Sequence, residues 1–329
     1  MILGAQLYSL RDKTQSLESY AECFAKVKEM GYEAVQVSGG MACDPHFLAE
    51  LSKKNGLVIP TTHSPLDRIM NDTDRLIEEL RAIPFEEITV TSRDGKRLYG
   101  RYYHVKDGAP LAILMHGYRG NAIRDFCGGH KLARESGHNI LLVDQRAHGK
   151  SDGHTITFGI RESEDCLVWA EYAAHRFPQS PIYLSGVSMG ASTVLTASAL
   201  PLPPSVRAIV ADCPFSSPTA IIRKVMTESG YPRFLFPFLA FGARLFGRFS
   251  LSETSAVTAV KNARVPILFI HGEEDLFVPS DMSRELYQAC TSPKRLLLFE
   301  GAGHGLSYMA DSERYIREFR SFLRECGVE

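Results

Sequence analysis

One pentapeptide in this 329-residue chain has the composition of a nucleophilic site: Gly186-Val187-Ser188-Met189-Gly190. A serine hydroxyl is a weak nucleophile at neutral pH. It needs a base to take its proton and a carboxylate to orient that base. The apolar run Ile182–Ser185 before the pentapeptide and the small residues Ala191-Ser192-Thr193 after it predict a sharp strand-to-helix turn. Glycines on either side leave room for such a turn, and the hydroxyl then projects at the top of a sheet. Candidates for the other two groups follow later apolar runs. Glu273, Glu274 and Asp275 come after Pro266–Ile270, and the glycine-flanked His304 comes after Arg295–Phe299. A set of this kind performs acyl transfer: attack on a carbonyl, a covalent intermediate, then release by water.

The elements that must hold these groups are legible as buried strands between helical segments. Glu87–Thr91 and Leu98–His104 read as a hairpin through Asp94-Gly95, a strong turn pair. Apolar runs then recur at Leu111–Met115, Asn139–Val143, Ile182–Ser185, Ala208–Ala211, Pro266–Ile270 and Arg295–Phe299. Continuous apolar strands alternating with helices predict a mostly parallel sheet covered on both faces, an α/β fold. Functional residues in such sheets sit at the carboxyl ends of strands, which is where the motifs fall.

The first 82 residues have a different pattern. Strands are expected at Gly4–Tyr8, at Ala34–Val37 and at Leu57–Thr61. Helices are expected at Ser16–Met30, Pro45–Lys54 and Thr73–Arg81. The expected organisation is a βα segment over 1–82 and a larger domain over 83–329.

From about residue 84 the motifs resemble those of the α/β-hydrolase superfamily, in particular its capped serine-aminopeptidase-like and prolyl-oligopeptidase-like esterase groups. Besides G-x-S-x-G, they are His271-Gly272-Glu273-Glu274-Asp275-Leu276-Phe277-Val278-Pro279, similar to an acid loop, and Gly301-Ala302-Gly303-His304, similar to a base loop. The resemblance implies Asp275 as acid and His304 as base. It also implies backbone N–H donors to an oxyanion from Met189 and from Tyr118, which follows His116-Gly117. His116, His271, and Asp144 and Arg146 in Asp144-Gln145-Arg146-Ala147-His148-Gly149 are then supporting residues. No cofactor and no metal are implied, and His148 is not expected to be a ligand.

Residues 1 to about 80 resemble the N-terminus of the sugar-phosphate isomerase/epimerase TIM barrels, through GAQLYSLRD, VKEMGYEAVQVSG and THSPLDRIMNDTDRLIEE. Most of that family's metal-binding strands lie later in a barrel and have no counterpart here, so isomerase chemistry is not expected. His63 reads as a polar loop residue. A partial barrel leaves an open strand edge, so this segment could drive homo-oligomerisation.

The hydrolase resemblance also implies a helical cap at about 216–264. Its centre, from Tyr231 to Phe241, is rich in phenylalanine and is flanked by Arg233, Arg244 and Arg248. Three readings stand side by side: a lid over an acyl pocket, a contact with a membrane surface, and packing of the cap on the body. Under the first, Phe215, Phe234 and Phe238 join Tyr118 and Arg119 as candidate substrate-binding residues. The expected substrate is a small ester with a short, medium or aromatic acyl group. Peptidase or amidase action on small substrates and acylglycerol lipase action are the alternatives.

Composition narrows the remaining classes. With 37 basic and 38 acidic residues the net charge is -1, which leaves no basic excess for nucleic acid. No apolar stretch approaches the roughly 18 residues of a membrane span, so stable membrane insertion is not expected. The N-terminus lacks the pattern of a signal peptide, and the expected location is cytoplasmic. Seven cysteines, with no C-x-x-C pair, argue against a disulfide framework or a zinc site.

Overall fold

The computed structural model describes residues 4–6, 16–36, 45–57, 84–126, 132–134 and 136–329. The chain divides into two units, Met1–Glu79 and Leu80–Glu329. In the first, strands β1 (Gly4–Gln6) and β2 (Ala34–Gln36) pair in parallel. Helix α1 (Leu17–Glu29) begins where the Ser16 side chain accepts the Ser19 N–H. That bond satisfies one of the donors a helix start leaves open. Tyr20, Phe24 and Val27 lie on one helical face and are buried. They form a small core with Val35, Leu57, and Leu48 and Leu51 of helix α2 (Pro45–Asn55). The strand expected at Leu57–Thr61, the helix expected at Thr73–Arg81, and His63 lie outside the described residues, apart from Leu57 itself.

The second unit is built on an eight-stranded sheet in the order β10-β9-β8-β7-β5-β6-β4-β3. Strands β3 (Glu86–Thr91) and β4 (Arg97–Tyr103) form the expected antiparallel hairpin. Gly95 supplies the positive φ, +81°, that its turn requires. Strand β4 runs antiparallel to β6 (Asn139–Asp144). The others, β5 (Leu111–Met115), β7 (Ile182–Val187), β8 (Val206–Asp212), β9 (Ile267–Gly272) and β10 (Lys294–Phe299), are parallel.

Alternation along the strands divides the core between the two faces. Leu111, Ile113, Met115, Ile182 and Leu184 point into a layer with Trp169 of helix α3 (Ile160–Arg176) and Val194 of helix α4 (Met189–Ala197). Ala112, Leu114 and Tyr183 point into the opposite layer, against Phe319, Phe322 and Leu323 of helix α8 (Ser312–Glu325). The continuous apolar runs of the sequence arise because both faces are covered.

The chain leaves β5 toward β6 on one side and returns with β7 on the other. The carboxyl ends of β5 and β7 therefore flank the point where strand order reverses, and a crevice forms there in open α/β sheets. Between β8 and β9 lie helix α5 (Pro218–Glu228), a 3-10 turn at Arg233–Leu235, and helix α6 (Phe236–Phe246). Helix α7 (Ser280–Ala289) links β9 to β10. Among the described residues no helix is long and apolar enough to cross a membrane.

Candidate active site

Ser188 stands between β7 and α4 with φ 55° and ψ −115°, a conformation L-residues rarely adopt. Its surroundings impose it. A Cβ on Gly186 would lie 2.2 Å from the carbonyl oxygen of Gly190, and one on Gly190 would lie 1.9 Å from that of Met115. Both positions exclude any side chain, so the turn can be tight. The Ser188 N–H donates to Asp212 O at 2.8 Å, and its carbonyl accepts the Ser192 N–H at 3.0 Å. The residue is thus pinned on both sides.

His304 is carried by the loop after β10. Its Nε2 lies 2.9 Å from Ser188 Oγ and its Nδ1 lies 2.7 Å from Asp275 Oδ2. Asp275, on the loop after β9, is buried. Its Oδ1 accepts the backbone N–H groups of Phe277 and Val278 at 2.9 and 2.8 Å. Burial opposes ionisation of this carboxyl. The His271 and His304 side chains and the Val278 N–H outweigh burial and hold it well below the usual carboxylate range. His271 is also buried, bonded to Ser283 Oγ at 2.6 Å and Val278 O at 2.7 Å, which steadies the acid loop. Glu273 sits at the solvent edge, paired with Arg284.

The loop after β5 carries the second expected donor. The Gly117 N–H goes to Asp125 Oδ2 at 3.0 Å, that of Arg119 to His148 Nε2 at 3.1 Å, and that of Gly120 to Gly117 O at 3.1 Å. Among the described residues no protein acceptor takes the N–H of Tyr118 or of Met189. Two donors left open at adjacent strand ends are what an oxyanion site requires.

This loop is braced by residues whose contacts the sequence did not reveal. His116 is buried, its Nδ1 against Gly117 O at 2.8 Å and its Nε2 accepting the Gln145 N–H at 3.1 Å. Burial pushes its pKa below the usual imidazole value, which suits this neutral role. The Gln145 amide donates to His116 O and accepts from Thr193 Oγ1, which ties β5, β6 and α4 together. His148 bonds Arg146 O through Nδ1, so both its ring nitrogens are engaged within the loop. Arg146 forms paired bonds of 2.6 Å to buried Asp165 and reaches Asp94 at 3.2 Å. Asp144 Oδ2 accepts the Lys150 N–H at 2.9 Å.

The strand order, the strained serine after β7 and the carboxylate and imidazole after β9 and β10 identify the architecture. Residues from 84 onward have the α/β-hydrolase fold. Comparisons with known proteins agree. Residues 110–237 match the alpha/beta hydrolase fold family, and residues 243–310 match the serine aminopeptidase (S33) family. The Bacillus subtilis protein YqkD is 26% identical over 263 residues, spanning 78% of this chain and 86% of that protein. The Pyrococcus furiosus esterase Pf2001 superposes with a TM-score of 0.61 at 21% identity, covering 75% of this chain and 93% of that one. Est1E from Butyrivibrio proteoclasticus, solved with ferulic acid, gives 0.54 at 20% identity over 74% of this chain and all of its own. The family matches lie within residues 110–310 and lend no support to the isomerase resemblance of the first 80 residues.

Within the hydrolase fold the expected substrate residues separate. Tyr118 is exposed, stacked on Phe158 with ring centroids 5.4 Å apart, and Arg119 lies 5.5 Å from the Tyr118 ring. Phe215 is buried with Met189, Ile221 and Val278, directly behind the nucleophile turn. Phe234 and Phe238, candidate substrate residues under the lid reading, project into solvent. They do so because Phe236, Ala240 and Ala243 hold the opposite face of the helix against Ile160, Phe249 and Leu251. Phe277, which the sequence reading did not single out, sets its ring edge-on to His304 at 5.1 Å. Cys213 is buried beside Asp275 and His304, and burial pushes its thiol pKa well above the ordinary value. The thiol therefore stays protonated and is no rival nucleophile.

Proposed function

We propose that this protein is a serine hydrolase that cleaves carboxylic esters through an acyl-enzyme intermediate, with Ser188 as nucleophile, His304 as base and Asp275 as acid. The observation that carries the reading is the position of His304, whose two ring nitrogens reach Ser188 Oγ and Asp275 Oδ2 together. Ser188 Oγ attacks the carbonyl carbon as its proton passes to His304 Nε2. The N–H groups of Met189 and Tyr118 hold the oxyanion. His304 then protonates the leaving alcohol, and water releases the acid by the same two steps. Asp275, ionised throughout, stabilises the imidazolium that forms in each step.

The esterase Pf2001, and Est1E with its bound ferulic acid, support an ester substrate and are compatible with an aromatic acyl group. The serine aminopeptidase match favours a second reading, amide cleavage next to a free amine. Such a site needs a carboxylate for the amine. The cap at about 216–264 holds two acids: Glu228 is paired with Lys224, and Glu253 accepts the Ser250 N–H. Both are engaged, and the ester reading is preferred.

Hydrolysis of p-nitrophenyl esters from acetate to decanoate, with matched anilides and Ser188→Ala alongside, tests the proposal. Ester turnover that vanishes in the variant is expected. Anilide turnover without ester turnover would transfer the assignment to an amidase, and no serine-dependent turnover on either series would overturn it.

A further inference from the structure

Helix α6 is apolar on two opposite faces. Phe236, Ala240 and Ala243 pack inward against Ile160, Phe249 and Leu251. Phe238, Phe241 and Leu245, spaced three and four residues apart, form a stripe on the outward side, extended by Phe234 of the preceding 3-10 turn. Phe238 is 70% exposed and Phe246, at the end of the helix, 83%. No residue of α6 is fully buried. An 11-residue helix is far too short to cross a bilayer, which takes about 20 residues. A helix apolar on both faces therefore needs cover on its outward one.

The surroundings of the stripe indicate what covers it. Residues 229–252 contain Arg233, Arg244 and Arg248 and no aspartate or glutamate. All three arginines are exposed, and Arg223 stands over the Phe236 ring at 4.3 Å. A two-fold related second copy would bring this cationic set against itself, which disfavours self-pairing. Exposed phenylalanine and leucine flanked by arginine match an anionic lipid surface, where rings enter the acyl boundary and guanidinium groups meet headgroups. A second apolar group is exposed beside His304. Lys224 of helix α5 donates to Leu276 O at 2.7 Å, which ties the cap to the acid loop. There Leu276 is 85% exposed, and Phe277 lies against His304.

We infer that helix α6 and its arginines dock the protein peripherally on anionic lipid surfaces. The docking stands on the cap alone and does not depend on the ester reading.

Sedimentation of the full chain with vesicles of phosphatidylcholine, alone or mixed with phosphatidylglycerol, tests this at low and high salt. Binding to the mixed vesicles, released by salt, is expected. Phe238→Ser/Phe241→Ser should weaken it more than about tenfold. Arg233→Gln, Arg244→Gln and Arg248→Gln should each weaken it by roughly fivefold. These side chains are exposed, so the variants should keep the parent's circular dichroism and thermal midpoint, and Ser188→Ala should bind as the parent does. No binding to mixed vesicles overturns the inference, as does binding that the phenylalanine pair leaves unchanged. So does a dimer in solution, seen by analytical ultracentrifugation, that the pair dissolves while vesicle binding is absent.

Discussion

His304 Nε2 lies 2.9 Å from Ser188 Oγ although 116 residues separate them in the chain. The two loops that carry them leave different strands, and the sheet brings the strand ends together. On the imidazole's other side Asp275 holds Nδ1 at 2.7 Å, which selects the tautomer with Nε2 unprotonated toward Ser188. Removing any one of the three should be costly and far from additive. Ser188→Ala and His304→Ala should each lower kcat by roughly 10^4-fold or more, and the double variant little further. Asp275→Asn should lower kcat by roughly 10^4-fold with KM nearly unchanged, because the imidazole loses its preferred tautomer. Steady-state kinetics on the best ester from the p-nitrophenyl series measures all of these.

The turn at Ser188 should tolerate no side chain at its glycines. Gly190→Ala places a methyl 1.9 Å from the Met115 carbonyl oxygen, and neither backbone can yield without disturbing two central strands. A loss of about 3 kcal/mol or more in urea unfolding is expected. Gly242→Ala is the control. Its Cβ meets nothing within 4 Å on exposed helix α6, so about 1 kcal/mol of stabilisation is expected instead.

Arg146 and Asp165 form a buried ion pair through two 2.6 Å bonds. Taking away one member leaves the other charge buried and uncompensated. Arg146→Met should cost about 3–5 kcal/mol, and Arg146→Met/Asp165→Leu should recover much of it. Equilibrium unfolding of the two variants decides. A double variant no more stable than the single one would show that the pair orders the loop as well as neutralising its own charges.

Asp212 gives the protein a pH dependence of definite sign. Burial, the largest influence, pushes its pKa up to about 6 against the opposing pull of His271, Tyr315 and His304. The folded state thus holds a proton that the unfolded state, with an ordinary carboxyl pKa of about 3.9, has already released. The stabilisation is complete below about pH 4 and is lost as pH rises through 6. Asp212→Asn cannot lose that proton. Relative to the variant, the parent should lose on the order of 2 kcal/mol between pH 4 and 7. Urea midpoints of both proteins across that range measure it, and a constant difference would reject the buried-proton account.

The parts of this protein that were legible without coordinates are those set by neighbours in the chain. A serine between glycines after an apolar run forces a tight strand-to-helix turn, and Gly186 and Gly190 meet backbone there as the motif requires. Runs such as Leu111–Met115 and Ile182–Val187 are buried on both faces because both faces of the sheet are covered, and that pattern survives in a bare sequence. Other features depend on residues distant in the chain. The Gln145–His116 and Arg119–His148 bonds join loops 29 residues apart, and no local spacing announces them. The shift at Asp212 comes from burial, against the opposing pull of Tyr315, 103 residues away. Between β8 and β9 the sequence singled out Phe234 and Phe238 as candidate substrate residues. Only the packing of Phe236, Ala240 and Ala243 on the body decided which face of helix α6 is covered and which meets solvent. Local stereochemistry writes turns and strands into a short stretch of residues, whereas burial and long-range bonding exist only once the whole chain has chosen its neighbours.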